Sequence, residues 1–78
     1  MSEITIREAR SEDAAAVLRL AALDDRPVPS GSALLAFVDG QLAAARSLRH
    51  GHTVADPFLR TADVVALLDL RAHQGLGA

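Results

Sequence analysis

Two histidines, an arginine beside a helix start and two pairs of carboxylates are the residues in this chain whose types could support chemistry. His50 and His52 are spaced to place two imidazole rings on one face of a strand, as metal ligands sometimes are. Asp56 is the nearest candidate for a third ligand, and no fourth is apparent. Because a structural zinc site uses four ligands, we interpret the histidines as part of a polar turn and predict no metal site.

Arg60 and Thr61 directly precede a segment with helical spacing, and threonine is a good N-cap residue. The free N–H groups in the first turn of a helix attract anions, so these groups and the Arg60 guanidinium could form a small anion site. The alternative is a solvated arginine next to an ordinary cap. Arg60 and Thr61 are the candidate cofactor-binding residues, and the sequence leaves both interpretations open.

The carboxylate pairs Glu12-Asp13 and Asp24-Asp25 are adjacent in sequence, and neighbouring residues on a helix diverge in direction. We therefore interpret them as capping and surface charges rather than as a general acid and base. The serine-rich segment around Gly31 lacks the Gly-x-Ser-x-Gly context of an activated nucleophile. The sequence thus predicts no catalytic residue.

The stretch Ala33 to Leu48 must position the other elements, because Asp39-Gly40 lies there between two apolar runs. This pattern predicts a hairpin with a type I′ turn, in which both central residues have positive φ. Its two arms are β2, residues 33–38, and β3, residues 41–48. The first arm is apolar on both faces, which is typical of a strand covered on both sides. Alternation sets Leu35 and Phe37 against Leu34, Ala36 and Val38, and sets Leu42, Ala44 and Leu48 against Ala43, Ala45 and Ser47.

A strand and a helix precede the hairpin. Ile4 and Ile6 alternate with polar residues and predict a short strand, β1. Ser11 is predicted to cap a helix, α1, over about residues 12–24, with acids in its first turn where the helix dipole favours them. The residues predicted to face the sheet are Ala14, Val17, Leu18 and Ala21, with Leu20 at the margin.

A strand and a second helix follow the hairpin. Residues 53–55 predict a short strand, β4, which ends at Pro57. Residues 62 to about 73 predict a helix, α2, capped by Thr61 and ended by Gly75. Ala66 and Leu70 fall on the far side of α2 and are the predicted interface residues. The predicted core stripe is Val64, Val65, Leu68 and Ala72, with Leu67 beside it.

The order β1-α1-β2-β3-β4-α2 predicts an α+β fold in which helices pack on a small, mostly antiparallel sheet of about four strands. We treat residues 1–78 as one domain. The chain has two Phe and neither Trp nor Tyr, so its core depends on small aliphatic side chains and is thin. Oligomerisation is one remedy for a thin core, so we expect a homodimer or another protein partner.

Composition excludes several other classes of protein and site. The absence of cysteine excludes disulfides and thiolate metal sites. A formal net charge of -2 with interspersed signs gives no reason to expect a nucleic-acid or membrane partner. No apolar run approaches the roughly 20 residues that span a bilayer, and the N-terminus lacks the pattern of a secretory signal. We expect a soluble cytoplasmic protein.

The opening ITIREARSEDAAAVLRLA and the hairpin LLAFVDGQLAAA, joined through a proline-containing loop, resemble the front half of the GNAT acetyltransferase superfamily. Members commonly begin with a strand ending Ile-Arg-x-Ala and a capped helix with acids in its first turn. They later place an Asp-Gly turn between strands two and three. The resemblance covers roughly residues 4–48 and implies a half-acetyltransferase-like fold, with acetyl-CoA as the cofactor of the superfamily.

The chain departs from the superfamily where the pyrophosphate of acetyl-CoA binds. The family loop, Gln/Arg-x-x-Gly-x-Gly/Ala after strand four, needs glycines because the backbone approaches the phosphates. The corresponding segment Asp56–Thr61 has no glycine, and the chain has no Tyr or Cys to act as the usual general acid. A second alignment takes Val64–Leu70 as strand four and Gln74–Ala78 as an incomplete loop. The helical stripe over residues 62–73 favours the first alignment.

We therefore expect a non-catalytic, GNAT-like domain that acts through self-association or a protein partner and uses no cofactor. The chain ends where the acyl-acceptor half of the superfamily fold would begin. The alternative function is an acetyltransferase or acyl-CoA-binding module whose site is completed by dimerisation or by a second half. Arg60 and the N–H groups after Thr61 would then hold phosphate.

Overall fold

A computed structural model describes residues 3–29, 31–49, 51–59 and 61–77 of the chain. It contains one four-stranded antiparallel sheet in the order β1-β2-β3-β4, with two helices packed on it. The predicted α+β fold and element order are confirmed. The elements are β1 (Ile4–Glu8), a 3₁₀ turn (Ser11–Asp13), α1 (Ala14–Leu23), β2 (Ala33–Val38), β3 (Gln41–Ser47), β4 (Thr53–Ala55) and α2 (Ala62–Gly77).

The predicted turn joins the two central strands. Asp39 has φ of 52° and Gly40 has φ of 84°, so both central residues lie in the left-handed region that a type I′ turn requires. Asp39 is also tied to β1, because its N–H donates to the Glu3 carbonyl at 2.8 Å and its carboxylate accepts from the Glu3 N–H at 2.8 Å. The turn therefore fixes the register of three strands.

A β-bulge in β3 changes which side chains share a face. Ala36 pairs with Ala44 but Phe37 pairs with Leu42, so Ala43 is an extra residue without a partner of its own in β2. Beyond such an extra residue, the side chains of the bulged strand change face. Leu42 consequently packs beside Phe37 on the same face as Ala45. The predicted strict alternation, with Leu42 and Ala44 together, is wrong at this position.

The sheet is covered on both faces, as the apolar first arm predicts. On one face α1 packs against residues that include Leu35, Ala45 and Val54. On the other face α2 packs over Ala36 and Ala44. The central strands are so enclosed that Leu35 and the four alanines 36, 43, 44 and 45 are all 0% exposed. Small side chains at these positions let both helices approach the sheet closely.

Helix α1 is rotated relative to the prediction. Val17, Leu20 and Ala21 are buried, whereas Leu18 is 60% exposed. Asp13 is also buried, four residues before Val17, so the buried face begins with this carboxylate. Its burial beside β1 fixes the rotation, which turns the predicted core residues Ala14 and Leu18 towards solvent. The helix itself starts at Ala14, after the 3₁₀ turn that begins at Ser11.

Helix α2 has the predicted stripe but a later end. Val64, Leu68 and Ala72 are buried at 3%, 0% and 0% exposure. The helix continues to Gly77, so the prediction that Gly75 terminates it is wrong. Glycine permits the left-handed conformation of a helix end but also adopts helical angles, at a cost of roughly 1 kcal/mol relative to alanine. The alternative with residues 64–70 as a strand is wrong too, because they lie within α2.

We expect enlargement of Ala44 to destabilise the fold, because this residue is fully buried between the sheet and α2. Ala44→Leu should lower the free energy of unfolding by about 1–3 kcal/mol through overpacking. Urea denaturation measures this change. Ala15→Leu, at an exposed position of α1, is the matched control and should change it by less than about 0.5 kcal/mol. Equal stability of the two variants would contradict close packing of α2.

Candidate functional site

Asp56 accepts hydrogen bonds from two backbone N–H groups of the loop between β4 and α2. This residue is 5% exposed, and its carboxylate accepts a hydrogen bond from the Phe58 N–H at 2.8 Å. Its carbonyl accepts one from the Leu59 N–H at 3.2 Å. Two backbone donors of the loop are thus occupied within the loop itself, and a carboxylate lies beside them. Such a loop is poorly suited to phosphate, which needs free N–H donors and no negative neighbour.

Of the two predicted anion-site residues, Thr61 is placed and Arg60 lies outside the described residues. Thr61 directly precedes α2, and its carbonyl accepts the first helical hydrogen bond, from the Val65 N–H at 2.8 Å. That is the backbone position predicted for the N-cap. Asp63 lies in the first turn, as predicted, and puts a negative charge close to the helix N-terminus. This charge further weakens the attraction of the site for an anion.

Arg7 and Asp13 form a two-pronged ion pair that joins β1 to the start of α1. Nη1 and Nη2 of Arg7 donate to the two Asp13 carboxylate oxygens at 2.8 and 2.9 Å. The Asp13 side chain is 11% exposed and also accepts from the Arg10 N–H at 2.7 Å. The Arg7 guanidinium lies 4.8 Å from the centre of the Phe37 ring, a cation–π distance. This pair holds the 3₁₀ turn Ser11–Asp13, and with it the start of α1, against β1.

These contacts shift the proton affinity of both groups. The hydrogen bonds from Arg7, then the Arg10 N–H, lower the pKa of Asp13 from its usual 3.8 to about 2. The Asp13 hydrogen bond in turn raises the pKa of Arg7. A carboxylate with a depressed pKa stays ionised and cannot act as a general acid near neutral pH. The pair is therefore structural. The predicted capping role of Asp13 is confirmed by its hydrogen bond from the Arg10 N–H, whereas the prediction that it is a surface charge is wrong because the residue is buried.

The two edges of the sheet differ in how their outward backbone groups are satisfied. The backbone hydrogen bonds of His52 and Asp56 to β3 show that even-numbered residues of β4 direct their N–H and C=O groups towards β3. The N–H and C=O groups of Thr53 and Ala55 therefore point away from the sheet. The Ala55 N–H donates to the Asp24 carboxylate at 3.1 Å. Asp24 is therefore not a simple surface charge, because it caps this short edge from the end of α1. A short edge strand with a carboxylate on it resists further pairing.

The β1 edge has five residues and is open. Hydrogen bonds of Glu3 and Ala9 to the hairpin show that odd-numbered residues of β1 face β2, so Ile4 and Ile6 direct their N–H and C=O groups outwards. Within the part of the chain that the structure describes, no other element bonds to these groups. An unpaired edge of this length is a template for another strand.

The predicted interface residues of α2 are exposed, as expected from their position. Ala66 is exposed and Leu70 is 54% exposed. On the inner side of the helix, Asp69 accepts a 2.7 Å hydrogen bond from Nη1 of Arg46, whose side chain is only 12% exposed. This ion pair fixes α2 on β3 and leaves Leu70 facing solvent. Whether a partner covers it stays a prediction.

The structure places one of the two histidines and a cleft beside Asp13. His50 lies outside the described residues, while His52 is half-buried. Among residues 3–29, 31–49, 51–59 and 61–77, no three His, Cys, Asp or Glu side chains are close enough to hold a metal ion. A cleft of about 310 Å³ lies beside Asp13, Val17 and Pro29, but the carboxylate that borders it is already paired with Arg7.

Sequence reasoning missed the residues that hold the edges and the helix start. Arg7 could have been placed from alternation in β1, because Ile4 and Ile6 assign it to the opposite face, where α1 lies. Nothing in the sequence indicates that Asp24 reaches β4, since the two residues that meet are 31 positions apart.

Comparison of the chain with protein-family models, curated proteins and solved structures found no match. Over the described residues, no helix is both long enough and apolar enough to cross a membrane.

We expect the Arg7–Asp13 pair to make stability depend on acid pH. The folded pKa of Asp13, about 2, lies below its usual value of 3.8, so the stabilisation is complete above pH 3.8 and is lost as pH falls through about 2. Asp13→Asn should lower the free energy of unfolding at pH 7, and its difference from wild type should shrink towards pH 2. Urea titrations at several pH values measure this.

Glu12→Gln is the control for that experiment, since Glu12 is the exposed neighbour of Asp13. Its effect on the free energy of unfolding should be small at every pH. A deficit of Asp13→Asn that is the same at pH 7 and pH 2 would contradict an ionised, paired Asp13.

Proposed function

We propose that the chain is a non-catalytic, GNAT-like interaction domain that self-associates. The observation that carries the proposal is the difference between the sheet edges. The β4 edge is short and its Ala55 N–H is taken by Asp24, whereas β1 leaves the outward groups of Ile4 and Ile6 unpaired. A domain that did not associate through its sheet would gain from blocking both edges. Here the open edge is the longer one.

The proposed family relationship gives a second argument for a non-catalytic domain. The superfamily holds the acetyl-CoA pyrophosphate on free backbone donors between strand four and the next helix. In this chain the Phe58 and Leu59 N–H groups of that segment donate to Asp56. A bound phosphate would have to displace a buried carboxylate and meet its negative charge. This supports a domain that has the superfamily's fold but not its cofactor site. The proposal that it works in the cytoplasm without nucleic acid rests separately on the sequence, with its formal net charge of -2 and interspersed signs.

The alternative activity is acyl-CoA binding at the start of α2. It is favoured by one feature, the helix N-terminus that follows β4 after a short loop, as it does in the superfamily. Arg60 would supply charge and the N–H groups after Thr61 would supply donors. A different protein could also take the place of the second copy. It would bind with a strand on the open β1 edge or with a helix on the α2 surface around Leu70.

We expect the purified chain to form a dimer at micromolar concentration, because unpaired strand edges favour association and the core is thin. Sedimentation equilibrium over a hundredfold concentration range measures the mass directly. A mass of one chain at every concentration would contradict self-association and would leave a different protein as the partner.

We expect acetyl-CoA to release no binding heat when titrated into the chain, because the loop donors are occupied by Asp56. The measurement is isothermal titration calorimetry at a protein concentration at which sedimentation equilibrium shows the dimer. Saturable binding would favour the alternative activity. In that case Arg60→Glu should abolish it, while Arg49→Glu, an exposed arginine after β3, should not.

A further inference from the structure

The five residues Glu3 to Arg7 have a sequence that is complementary to itself when reversed. They read Glu-Ile-Thr-Ile-Arg, with a negative and a positive charge at the ends, an isoleucine inside each and a threonine at the centre. When two copies of the segment pair antiparallel with the two Thr5 residues opposite each other, Glu3 of one copy lies opposite Arg7 of the other, and Ile4 lies opposite Ile6. Opposite charges, β-branched pairs and Thr–Thr pairs all stabilise antiparallel neighbours.

We propose that two copies of this chain join through β1, antiparallel and centred on Thr5, to form one continuous eight-stranded sheet. This inference rests on the proposed self-association and specifies its surface and register. Ile4 and Ile6 are the residues whose backbone groups face the free edge. In this register they form hydrogen-bonded pairs across the two-fold axis, each Ile4 with the Ile6 of the other copy. The occupant of the edge is thus a second copy.

A register centred on Ile6 also brings the outward N–H and C=O groups of the two copies opposite each other, but its side-chain pairs are unfavourable. It places Ile4 opposite Glu8 and Arg7 opposite Thr5, so no charge meets its opposite. It also requires the Glu8 carbonyl, which already accepts a hydrogen bond from Nη1 of Arg7 at 3.1 Å. The two registers differ by one residue at the centre, and the isoleucine and threonine pairs favour the Thr5-centred one. Its Glu3–Arg7 pair adds only a weaker attraction between opposite charges, because the Arg7 guanidinium already binds Asp13.

The positions of the helices leave room for this assembly. Helix α1 packs over β3 and β4, and α2 over β2 and β3. Helix α1 therefore lies away from the β1 edge, and α2 lies over the centre of the sheet and reaches β1 only at the Ile6 side chain, so a neighbour can reach the β1 edge. The Ile4 side chain is 39% exposed and Ile6 is half-buried under α2. Pairing would cover the Ile4 side chain with the Ile6 of the second copy.

Disulfide trapping tests the register, since the chain contains no cysteine. In an antiparallel pair, residues opposite each other outside the hydrogen-bonded positions have Cα atoms about 4.5 Å apart, within the range for a disulfide. Under mild oxidation, the cysteine of one Thr5→Cys chain should therefore form a disulfide with the same cysteine of a second copy. In the Ile6-centred register the two introduced thiols would be diagonal neighbours, roughly 7–8 Å apart, and would cross-link poorly.

Leu70→Cys is the matched variant for the competing interface on α2, where the side chain is exposed. We expect a covalent dimer from Thr5→Cys and none from Leu70→Cys at the same concentration. Cross-linking of Leu70→Cys alone, or of neither variant while wild type is dimeric, would overturn the β1 interface but keep self-association. A wild type that stays monomeric overturns both proposals.

A proline variant tests the backbone pairing separately from the side chain. The Ile4 N–H faces the free edge, so Ile4→Pro removes a donor that the monomer does not use. Ile4→Ala removes a similar amount of side chain but keeps the N–H. The dimer dissociation constant of Ile4→Pro should exceed that of Ile4→Ala by about tenfold or more, because each dimer loses two hydrogen bonds. Equal constants, with both variants folded by circular dichroism, would contradict edge pairing.

Discussion

Burial of the central hairpin on both faces is the constraint on which the rest of the structure depends. β2 and β3 present fully buried side chains to both sides, so the sheet cannot leave either face in water. In the part of the chain that the structure describes, α1 covers one face and α2 the other. Alanines at the contact positions of β3 let both helices come close, at the cost of little apolar area per residue. The thin core follows directly from that solution.

Charged groups then decide how the covering helices sit. Asp13 at the start of α1 is held by Arg7 of β1, and Asp24 just after the helix is held by the Ala55 N–H of β4. The helix is thus attached to both edges of the sheet by carboxylates. Helix α2 is fixed in a similar way by the Arg46–Asp69 pair. With few large apolar side chains available, directional polar contacts select one rotation of each helix, and apolar packing fills the space that this leaves.

Sequence patterns predict the parts of this fold that rest on local rules. The Asp39-Gly40 turn, the two-sided apolar strand and the stripe on α2 were all readable, as was the exposure of Ala66 and Leu70. The bulge at Ala43 was not, because a run of three alanines gives no size contrast that marks which residue is extra. The rotation of α1 was not either. Leu18 and Leu20 are equally apolar, and the choice between them depends on a carboxylate that sequence rules place at the surface.

The same distinction applies to the candidate sites. A phosphate loop and the loop found here can occupy the same place between a strand and a helix, and both depend on backbone N–H groups. They differ in whether the chain itself supplies a hydrogen-bond acceptor for the N–H groups of the loop. Asp56 does so, and it is buried enough that its hydrogen bonds to the loop are shielded from water. The β1 edge is the opposite case, since the outward N–H and C=O groups of Ile4 and Ile6 have no hydrogen-bond partner within the described chain. The unpaired backbone groups of Ile4 and Ile6, in a segment whose side chains match their own reversed order, are the basis of the proposed pairing with a second copy.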